Sequence, residues 1–236
     1  TSLASRGITE ETCRFWSYGA TEFFGDKTQC AQYLDANRKV VAQKMRTRDK
    51  KFPWINRASF KGLYGQWLWR DSGKMVVITE GELDALSVSQ VQNNKWPVVS
   101  LPDGGGKKAA KSVLEAFAWL QKFDKIILFF DNDDPGRETV DIIKKILPMG
   151  KVFITYAPDG FKDASDLLQA GRGKEIIDCI WGAKAYRPDG LVSGSKIIDR
   201  LTDRPEVLSF PYPEFMDTMN SITSLADFKQ LFGNGG

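Results

Sequence analysis

The chain has 236 residues, of which 42% are hydrophobic and 27% charged, which is typical of a globular protein of one or two domains. It contains no histidine and three widely spaced cysteines, so a structural zinc site is not expected and Ser-His-Asp and Cys-His catalysis are excluded. No apolar run approaches the ~18–20 residues that cross a bilayer, and the N-terminus lacks a secretory signal, so we expect a soluble, intracellular protein with no membrane association. Catalysis would have to use carboxylates, lysines, arginines, hydroxyls and bound metal.

The first 72 residues contain a strongly basic segment. Between Arg38 and Lys61 there are nine cations and a single acid, Asp49, although the whole chain carries a net charge of only +3. Phe52 and Trp54 are interleaved with these cations. Basic residues mixed with aromatic ones suit a groove that follows a phosphate backbone and stacks bases, while a solvated loop or hairpin is the ordinary alternative.

Four short apolar runs follow and predict the strands of a parallel sheet: Met75–Thr79, Pro97–Leu101, Ile126–Phe130 and Val152–Tyr156. The segments between them predict three crossover helices: Leu83–Val91, Lys107–Phe123, and Pro135–Leu147 with Asp134 as its N-cap. The sequence therefore predicts a doubly wound α/β unit over residues 73–183, preceded by an N-terminal unit of residues 1–72. Residues 184–236 are predicted to be a linker segment with short amphipathic stretches at Ser195–Leu201 and Leu225–Phe232.

Acidic residues directly follow three of the predicted strands. Glu80 follows the first, Asp131 and Asp133 follow the third, and Asp163 follows the fourth. Because ligands of an open parallel sheet bind at the carboxyl ends of its strands, these carboxylates are expected to converge there. Carboxylates without histidine or cysteine favour Mg²⁺ or Mn²⁺. Each acid taken alone could also be a helix cap or a solvated loop residue.

The glycine-rich loop Leu101–Lys108 looks like a phosphate cradle but is not a Walker A motif. Leu101 stands where that motif needs glycine, and Lys108 stands where it needs serine or threonine. The sequence has no other such loop, so ATP-driven helicase activity is not expected from it.

Three motifs together resemble the Toprim domain of primases: T-E-G-E-x-D at Thr79–Asp84, D-x-D at Asp131–Asp133, and K-D-A-S-D at Lys162–Asp166. Three earlier motifs, at Ser2–Cys13, Val41–Phe52 and Tyr64–Trp69, are similar to the primase part of phage primase-helicases and of the related mitochondrial Twinkle proteins. The segment Arg187–Ser193 resembles the start of the linker to their helicase domain. The resemblance implies a Toprim fold, which is a Rossmann-like, mostly parallel sheet flanked by helices, with an N-terminal α+β basic subdomain. A zinc-binding domain and a ring helicase are then expected in the full-length protein.

The resemblance implies the RNA polymerase domain of a DNA primase, which makes short RNA primers from NTPs on a single-stranded DNA template with Mg²⁺ or Mn²⁺. Such a protein would act in the cytoplasm of a phage-infected cell, or in an organelle if it is Twinkle-like. The implied catalytic residues and metal ligands are Glu80, Asp131 and Asp133, with Asp163 also supporting the metal site. The implied ligands of the nucleotide phosphates are Lys44, Arg46 and Lys50, and the implied nucleic-acid contacts are Arg48, Lys51 and Arg57. Glu80 either completes the metal site or takes the proton from the attacking hydroxyl.

Two other functions remain open from the sequence. One is a catalytically inactive, Twinkle-like scaffold that binds single-stranded DNA, and the other is a metal-dependent Toprim nuclease. The presence of Glu80, Asp131 and Asp133 favours an active site over the scaffold. Trp54 and Trp69 are candidates for base stacking, with core packing as the alternative.

Overall fold

The structure is a computed structural model, and it describes residues 3–187. The two amphipathic stretches predicted at Ser195–Leu201 and Leu225–Phe232 lie outside the described residues. Within residues 3–187, the chain first forms an antiparallel sheet of four strands and then a mostly parallel sheet of five.

The N-terminal region consists of short helices and the antiparallel sheet. A 3₁₀ turn, Ala4–Arg6, precedes helix α1, Glu10–Phe15, which begins where the hydroxyl of Thr9 accepts a hydrogen bond from the amide of Thr12. The sheet has the order β1-β2-β3-β4, and its strands are β1 Tyr18–Phe23, β2 Asp26–Leu34, β3 Val40–Arg46 and β4 Trp54–Ile55. Two further 3₁₀ turns, Arg57–Ser59 and Gln66–Leu68, lead into the second sheet.

The second sheet has the strand order β6-β5-β7-β8-β9. Its strands are β5 Gly73–Thr79, β6 Val98–Ser100, β7 Phe123–Phe129, β8 Val152–Thr155 and β9 Lys184–Ala185. The first four are parallel, and β9 is antiparallel to β8. The helices are α2 Glu82–Val91, α3 Lys107–Glu115, α4 Phe117–Leu120, α5 Asp134–Ile143, α6 Ala164–Gln169 and α7 Gly173–Trp181.

Alternate residues of the parallel strands enter two different hydrophobic cores. In β5, Val77 packs into a core that includes Leu86 of α2, whereas Val76 and Ile78 pack into a core that includes Val113 of α3. This alternation follows from the two-residue period of a strand, and it explains why the strand sequences are continuously apolar. The predicted α/β class, with a parallel sheet flanked by helices, is confirmed.

The structure differs from the sequence predictions in several boundaries. The helix predicted over Lys107–Phe123 is interrupted at Ala116, so that it forms α3 and α4. The predicted N-cap Asp134 is instead the first residue of α5, and Asp133 is the cap, accepting a hydrogen bond from the amide of Gly136. Proline is tolerated throughout the first helical turn, so Pro135 did not fix the cap position. The helices α6 and α7 and the strand β9 were not predicted.

The two sheets share one hydrophobic core. Trp16 and Tyr33 from the N-terminal region belong to the same cluster of buried side chains as Val77 and Leu86. Tyr64 links the N-terminal region to the second sheet, because its amide and carbonyl exchange hydrogen bonds with Ser100 at the end of β6 and its hydroxyl donates to the carbonyl of Trp16. The division of the chain at residues 72 and 183 stays a prediction. Within residues 3–187, no helix is long and apolar enough to cross a membrane.

Candidate active site

The strand order creates a crevice at the carboxyl ends of β5 and β7. The chain leaves β5 for β6 on one side and leaves β7 for β8 on the other, and β5 and β7 are neighbours. Such a reversal is where open α/β sheets bind ligands. Glu80 directly follows β5, and Asp131 follows β7 with one residue between them. Both acids therefore lie at this crevice.

Three aspartates form a tight group there. Each of Asp84, Asp131 and Asp163 offers a carboxylate oxygen, and these oxygens all lie within 4.8 Å of one another. Asp84 is in the first turn of α2 and accepts a hydrogen bond from the amide of Ser165 at 3.1 Å. Asp163 caps α6 by accepting a hydrogen bond from the amide of Asp166 at 2.7 Å. Two helix starts therefore hold two of the three carboxylates in place.

Burial and mutual repulsion disfavour ionisation of this group. Burial raises the pKa of Asp84 well above its usual value, and the neighbouring carboxylates of Asp163 and Asp131 raise it further. Burial also raises the pKa of Asp131 and the pKa of Asp163. Carboxylates this close cannot all be charged unless a cation compensates them.

Glu80 lies beside the aspartate group. Its Oε2 atom is buried and has no hydrogen-bond partner among residues 3–187. The pKa of Glu80 is raised to about 7, mainly by burial and also by repulsion from Asp131 and Asp133. The unpartnered oxygen and the raised pKa both indicate a carboxylate whose charge is compensated only when a cation or a proton is bound.

Lys162 is the cation that the structure places among these acids. Its ammonium lies 3.0 Å from a carboxylate oxygen of Asp131 and 3.0 Å from one of Asp133, and these hydrogen bonds raise its pKa. The pKa of Asp133 is lowered, because hydrogen bonds from the Gly136 amide and from Lys162 together outweigh the opposing effect of burial. Asp133 is thus stabilised as an anion by the protein itself, unlike Asp131.

The donor set fits a hard divalent cation. It consists of carboxylate oxygens, includes a buried oxygen without a partner, and carries more negative charge than Lys162 alone can neutralise. Mg²⁺ and Mn²⁺ prefer such oxygen ligands. Asp84, Asp131 and Asp163 are the group of three that the described residues offer for one ion.

Two glycines allow the backbone to approach this site closely. A Cβ atom at Gly136 would lie 2.2 Å from the carbonyl oxygen of Asp131, and one at Gly105 would lie 2.2 Å from the hydroxyl of Thr139 and 3.1 Å from Oε1 of Glu80. The glycine-rich loop after β6 therefore packs directly against the acidic group. A larger side chain at either position would displace these neighbours.

The N-terminal sheet forms the opposite, basic wall of a cleft. The cleft has a volume of about 810 Å³, and it is lined on one side by Glu80, Asp84, Asp131 and Asp163 and on the other by Lys44, Arg46, Lys50 and Arg57. Phe52 and Trp54 also line it. The acids and part of the basic segment, far apart in sequence, thus meet in one cavity.

Lys44 is held in the cleft by a buried network. Its ammonium lies 2.7 Å from a carboxylate oxygen of Glu82 and donates a hydrogen bond to the carbonyl of Pro102 at 2.8 Å. The hydroxyl of Tyr33 donates to the same oxygen of Glu82 at 2.5 Å. Glu82 therefore fixes the basic sheet to the start of α2, and Lys44 is placed at the cleft with one carboxylate already paired to it.

Arg57 is also engaged with the protein. Its guanidinium donates to both carboxylate oxygens of Asp103, at 3.0 and 3.1 Å from Nε, and lies 5.0 Å from the centre of the Trp54 ring. Trp54 in turn packs against Tyr33, with 4.7 Å between the ring centres. Arg57 and Trp54 line the cleft, but both also support its basic wall.

The remaining predicted contacts lie outside the cleft. Arg48 lines a second cavity next to it, and Lys51 is exposed and paired with Asp49 at 2.7 Å. Arg38 and Lys39 are at the turn between β2 and β3, at the opposite end of β3 from Arg46. A strand rises about 3.3 Å per residue, so roughly 25 Å separates Arg38 from Arg46. Trp69 is partly buried, and its indole donates to the carbonyl of Val98 at 2.6 Å, as expected for core packing.

Sequence reasoning missed three functional candidates. Asp84 is predicted only as part of a motif, although its place in the first turn of the helix that follows the Glu80 strand end is a usable signal. Glu82 and Lys162 were not assigned roles. Their partners, Lys44 on the other sheet and Asp131 after another strand, come together only through the tertiary fold.

The fold and the acidic cleft define a Toprim protein with an N-terminal α+β region. Residues 1–55 match the family described as "Bacteriophage T7 DNA helicase/primase, N-terminal a+b fold", and residues 77–168 match the Toprim-like family. The chain is similar to the primase fragment of the bacteriophage T7 primase-helicase in a crystal structure, with 38% identity, a TM-score of 0.71, and coverage of 76% of this chain and 73% of that one.

Two further relatives agree with this class. The chain is 39% identical over 202 residues to a DNA helicase/primase of Enterobacteria phage T3. The match covers 85% of this chain and 35% of the phage T3 protein. It is also similar to a chain in a structure of the bacteriophage T7 lagging-strand DNA polymerase with primase domains bound to an RNA/DNA hybrid and dTTP. The two chains are 36% identical with a TM-score of 0.70, and the match covers 79% of this chain and 93% of that one. This chain belongs to the phage T7-type primase-helicase family and corresponds to its primase part. It spans about a third of the length of the phage T3 relative.

Proposed function

We propose that this chain synthesises short RNA primers on single-stranded DNA, using NTPs and a divalent cation, Mg²⁺ or Mn²⁺. The observation that carries the proposal is the single cleft in which an acidic wall from the Toprim sheet faces a basic wall from the N-terminal sheet. Phosphoryl transfer from a nucleoside triphosphate needs both features, since the metal requires carboxylates and the phosphates require cations.

In the proposed reaction, the 3′-hydroxyl of one ribonucleotide attacks the α-phosphate of the next NTP and pyrophosphate leaves. Asp84, Asp131 and Asp163 would hold the divalent cation. When bound, that cation would offset the negative charge that develops on the phosphoryl oxygens. Arg46 and Lys50 would bind the triphosphate from the opposite wall, and Lys44 would add a further positive charge where Glu82 and Pro102 hold it.

Glu80 and Lys162 take supporting roles in this proposal. Glu80, with its buried and unpartnered oxygen, serves as a further ligand or accepts the proton from the attacking hydroxyl. Lys162 stabilises the carboxylates of Asp131 and Asp133 and lines the cleft where the phosphates would enter. Asp133 supports the site as the N-cap of α5 and the second partner of Lys162.

The relatives support the proposed partners. The T7 primase domains named in the polymerase structure are bound to an RNA/DNA hybrid and dTTP, and a hybrid is the product expected of primer synthesis. The match covers only 35% of the phage T3 helicase/primase, which leaves room for the zinc-binding domain and the ring helicase that we propose for the full-length protein. The site of action would then be the cytoplasm of the infected host cell.

The test separates polymerase, nuclease and scaffold. The chain is incubated with Mn²⁺ or Mg²⁺, labelled NTPs, a single-stranded DNA and an excess of a complementary diribonucleotide for extension, so that initiation without a zinc domain does not limit the reaction. We expect elongated oligoribonucleotides that disappear with EDTA. Shortened DNA would instead indicate a nuclease, and DNA binding without any product would indicate the scaffold.

A further inference from the structure

Asn132 lies between Asp131 and Asp133 in the D-x-D motif, and the proposed function gives it no role. Its backbone amide donates a hydrogen bond to the carbonyl of Lys162 at 2.7 Å, and its side-chain Nδ2 donates to the carbonyl of Ala157 at 2.9 Å. Both acceptors belong to the segment that joins β8 to α6. One residue of the loop between β7 and α5 therefore holds this neighbouring segment at two points.

The segment that Asn132 holds brings charged groups to the acidic site. It contains no helix or strand between the end of β8 and the start of α6, and it ends on Lys162 and Asp163. The ammonium of Lys162 lies 3.0 Å from a carboxylate oxygen of Asp131, and an oxygen of Asp163 lies within 4.8 Å of one of Asp131. The hydrogen bonds of Asn132 to backbone carbonyls join this segment to the loop that carries Asp131 without using a charge.

Arg137 fixes the orientation of the Asn132 amide. Its guanidinium donates to Oδ1 of Asn132 at 2.5 Å and lies 4.9 Å from the centre of the Tyr156 ring. A guanidinium has only donors, so the amide oxygen must face Arg137, and the amide nitrogen faces the carbonyl of Ala157. Arg137 is in α5 and Tyr156 directly follows β8, so this pair spans the same gap as Asn132.

The hydrogen bonds of Asn132 to the two carbonyls do not depend on the charge of the acidic site. The carboxylates of Asp131 and Asp163 repel each other when no cation compensates them, and this repulsion favours separation of the two loops. The ion pair of Lys162 with Asp131 opposes the separation only while Asp131 is ionised. The bonds of Asn132 to the carbonyls join neutral groups, so they hold the two loops together in every charge state of the site.

We propose that Asn132 is a positioning residue of the metal site, which holds the loop of Asp131 against the segment of Asp163 so that their carboxylates are already close together when the cation binds. Residues that do not touch a metal but orient its ligands typically change metal affinity by roughly 10–100-fold when they are replaced. The inference rests on the proposed function for the presence of the cation. It assigns a role to the middle residue of the D-x-D motif.

Binding of Mn²⁺ to the chain, measured from the EPR signal of the free ion without NTPs or DNA, tests this role. Asn132→Leu keeps the branched shape of the side chain and removes its hydrogen bonds, and we expect it to weaken Mn²⁺ binding by roughly tenfold or more. Gln169→Leu is the matched control, because the amide of Gln169 donates to Ser165 of the same helix. It should leave the Kd for Mn²⁺ unchanged. An unchanged Kd in Asn132→Leu, or an equal loss of affinity in Gln169→Leu, would overturn the proposal.

Arg137→Met separates a positioning role from a purely structural one. It leaves Asn132 in place and removes the donor to its Oδ1, so we expect a smaller loss of Mn²⁺ affinity than in Asn132→Leu. In the double variant the loss should equal that of Asn132→Leu alone, because Arg137 acts through Asn132. Additive losses would contradict this coupling. A lower Tm without metal in Asn132→Leu, together with a wild-type Kd for Mn²⁺ in the folded protein, would show that Asn132 only stabilises the fold.

Failure of this proposal and failure of the proposed function are separate outcomes. Absence of Mn²⁺ binding to wild type would overturn both. Absence of primer synthesis, with Mn²⁺ binding that Asn132→Leu weakens, would overturn only the proposed function. Primer synthesis by wild type, with an unchanged Kd for Mn²⁺ in Asn132→Leu, would overturn only the role of Asn132.

Discussion

The two sheets present their charged residues in different ways. The parallel sheet places its acids at strand ends, where topology alone brings Glu80 and Asp131 to one crevice. The antiparallel sheet places its cations along a face, where the strand register and the hairpin turns decide which of them reach the cleft. A sequence shows which residues follow a predicted strand, but it does not show which residues of a hairpin reach the cleft.

This difference explains what the sequence could predict. The strand-end motifs predict an acidic site, and the structure groups Asp131 and Asp163 with Asp84, while Glu80 and Asp133 are not in this group of three. The metal role of each stays a prediction. The basic segment was expected to act as one patch, but β3 carries Arg38 and Arg46 to opposite ends of the sheet. Asp84 was not assigned, because its role depends on α2 starting directly after β5 and turning its first residues toward Asp163.

Substitution of Asp131 is expected to have the largest effect. Asp131→Asn removes the central carboxylate of the strand-end site, so primer extension should fall by roughly 10³-fold. Asp134→Asn, an exposed neighbour in the first turn of α5, is the matched control and should retain activity. Normal extension by Asp131→Asn in the diribonucleotide assay would show that the strand ends do not form the site.

Loss of Lys44 should mainly affect stability. Lys44→Met leaves the carboxylate of Glu82 buried with only Tyr33 as a hydrogen-bond donor, which should lower the free energy of unfolding by about 3 kcal/mol. The double variant Lys44→Met with Glu82→Gln should recover most of that loss in urea unfolding. If it also recovers nucleotide affinity, then Lys44 contributes only to the structure.

The proposed role of Asp84 as a metal ligand can be tested through protein stability. With wild-type protein, Mn²⁺ at a hundred times its Kd should raise stability by about 2.7 kcal/mol. Asp84→Asn should lose most of this gain, yet it should be at least as stable as wild type without metal, because a buried acid next to Asp163 is replaced by a neutral group. Thermal unfolding with and without Mn²⁺ measures both effects, and an undiminished metal-dependent gain would remove Asp84 from the metal site.

The smallest effect is expected at Lys51. Its ion pair with Asp49 is exposed to solvent, and such pairs contribute little. Lys51→Ala should change the free energy of unfolding by less than about 0.5 kcal/mol and leave primer extension unchanged. A marked loss of primer extension would show that the basic wall of the cleft continues beyond Lys50.

The central claim is that the acidic and basic walls act on the same nucleotide. The most direct measurement is the binding of a labelled NTP, with and without Mn²⁺, to wild type, Asp131→Asn and Arg46→Ala. Mn²⁺ should strengthen nucleotide binding to wild type, Asp131→Asn should abolish this enhancement, and Arg46→Ala should weaken binding in both conditions. Retention of the full Mn²⁺ enhancement by Asp131→Asn, or unchanged nucleotide affinity in Arg46→Ala, would contradict the claim.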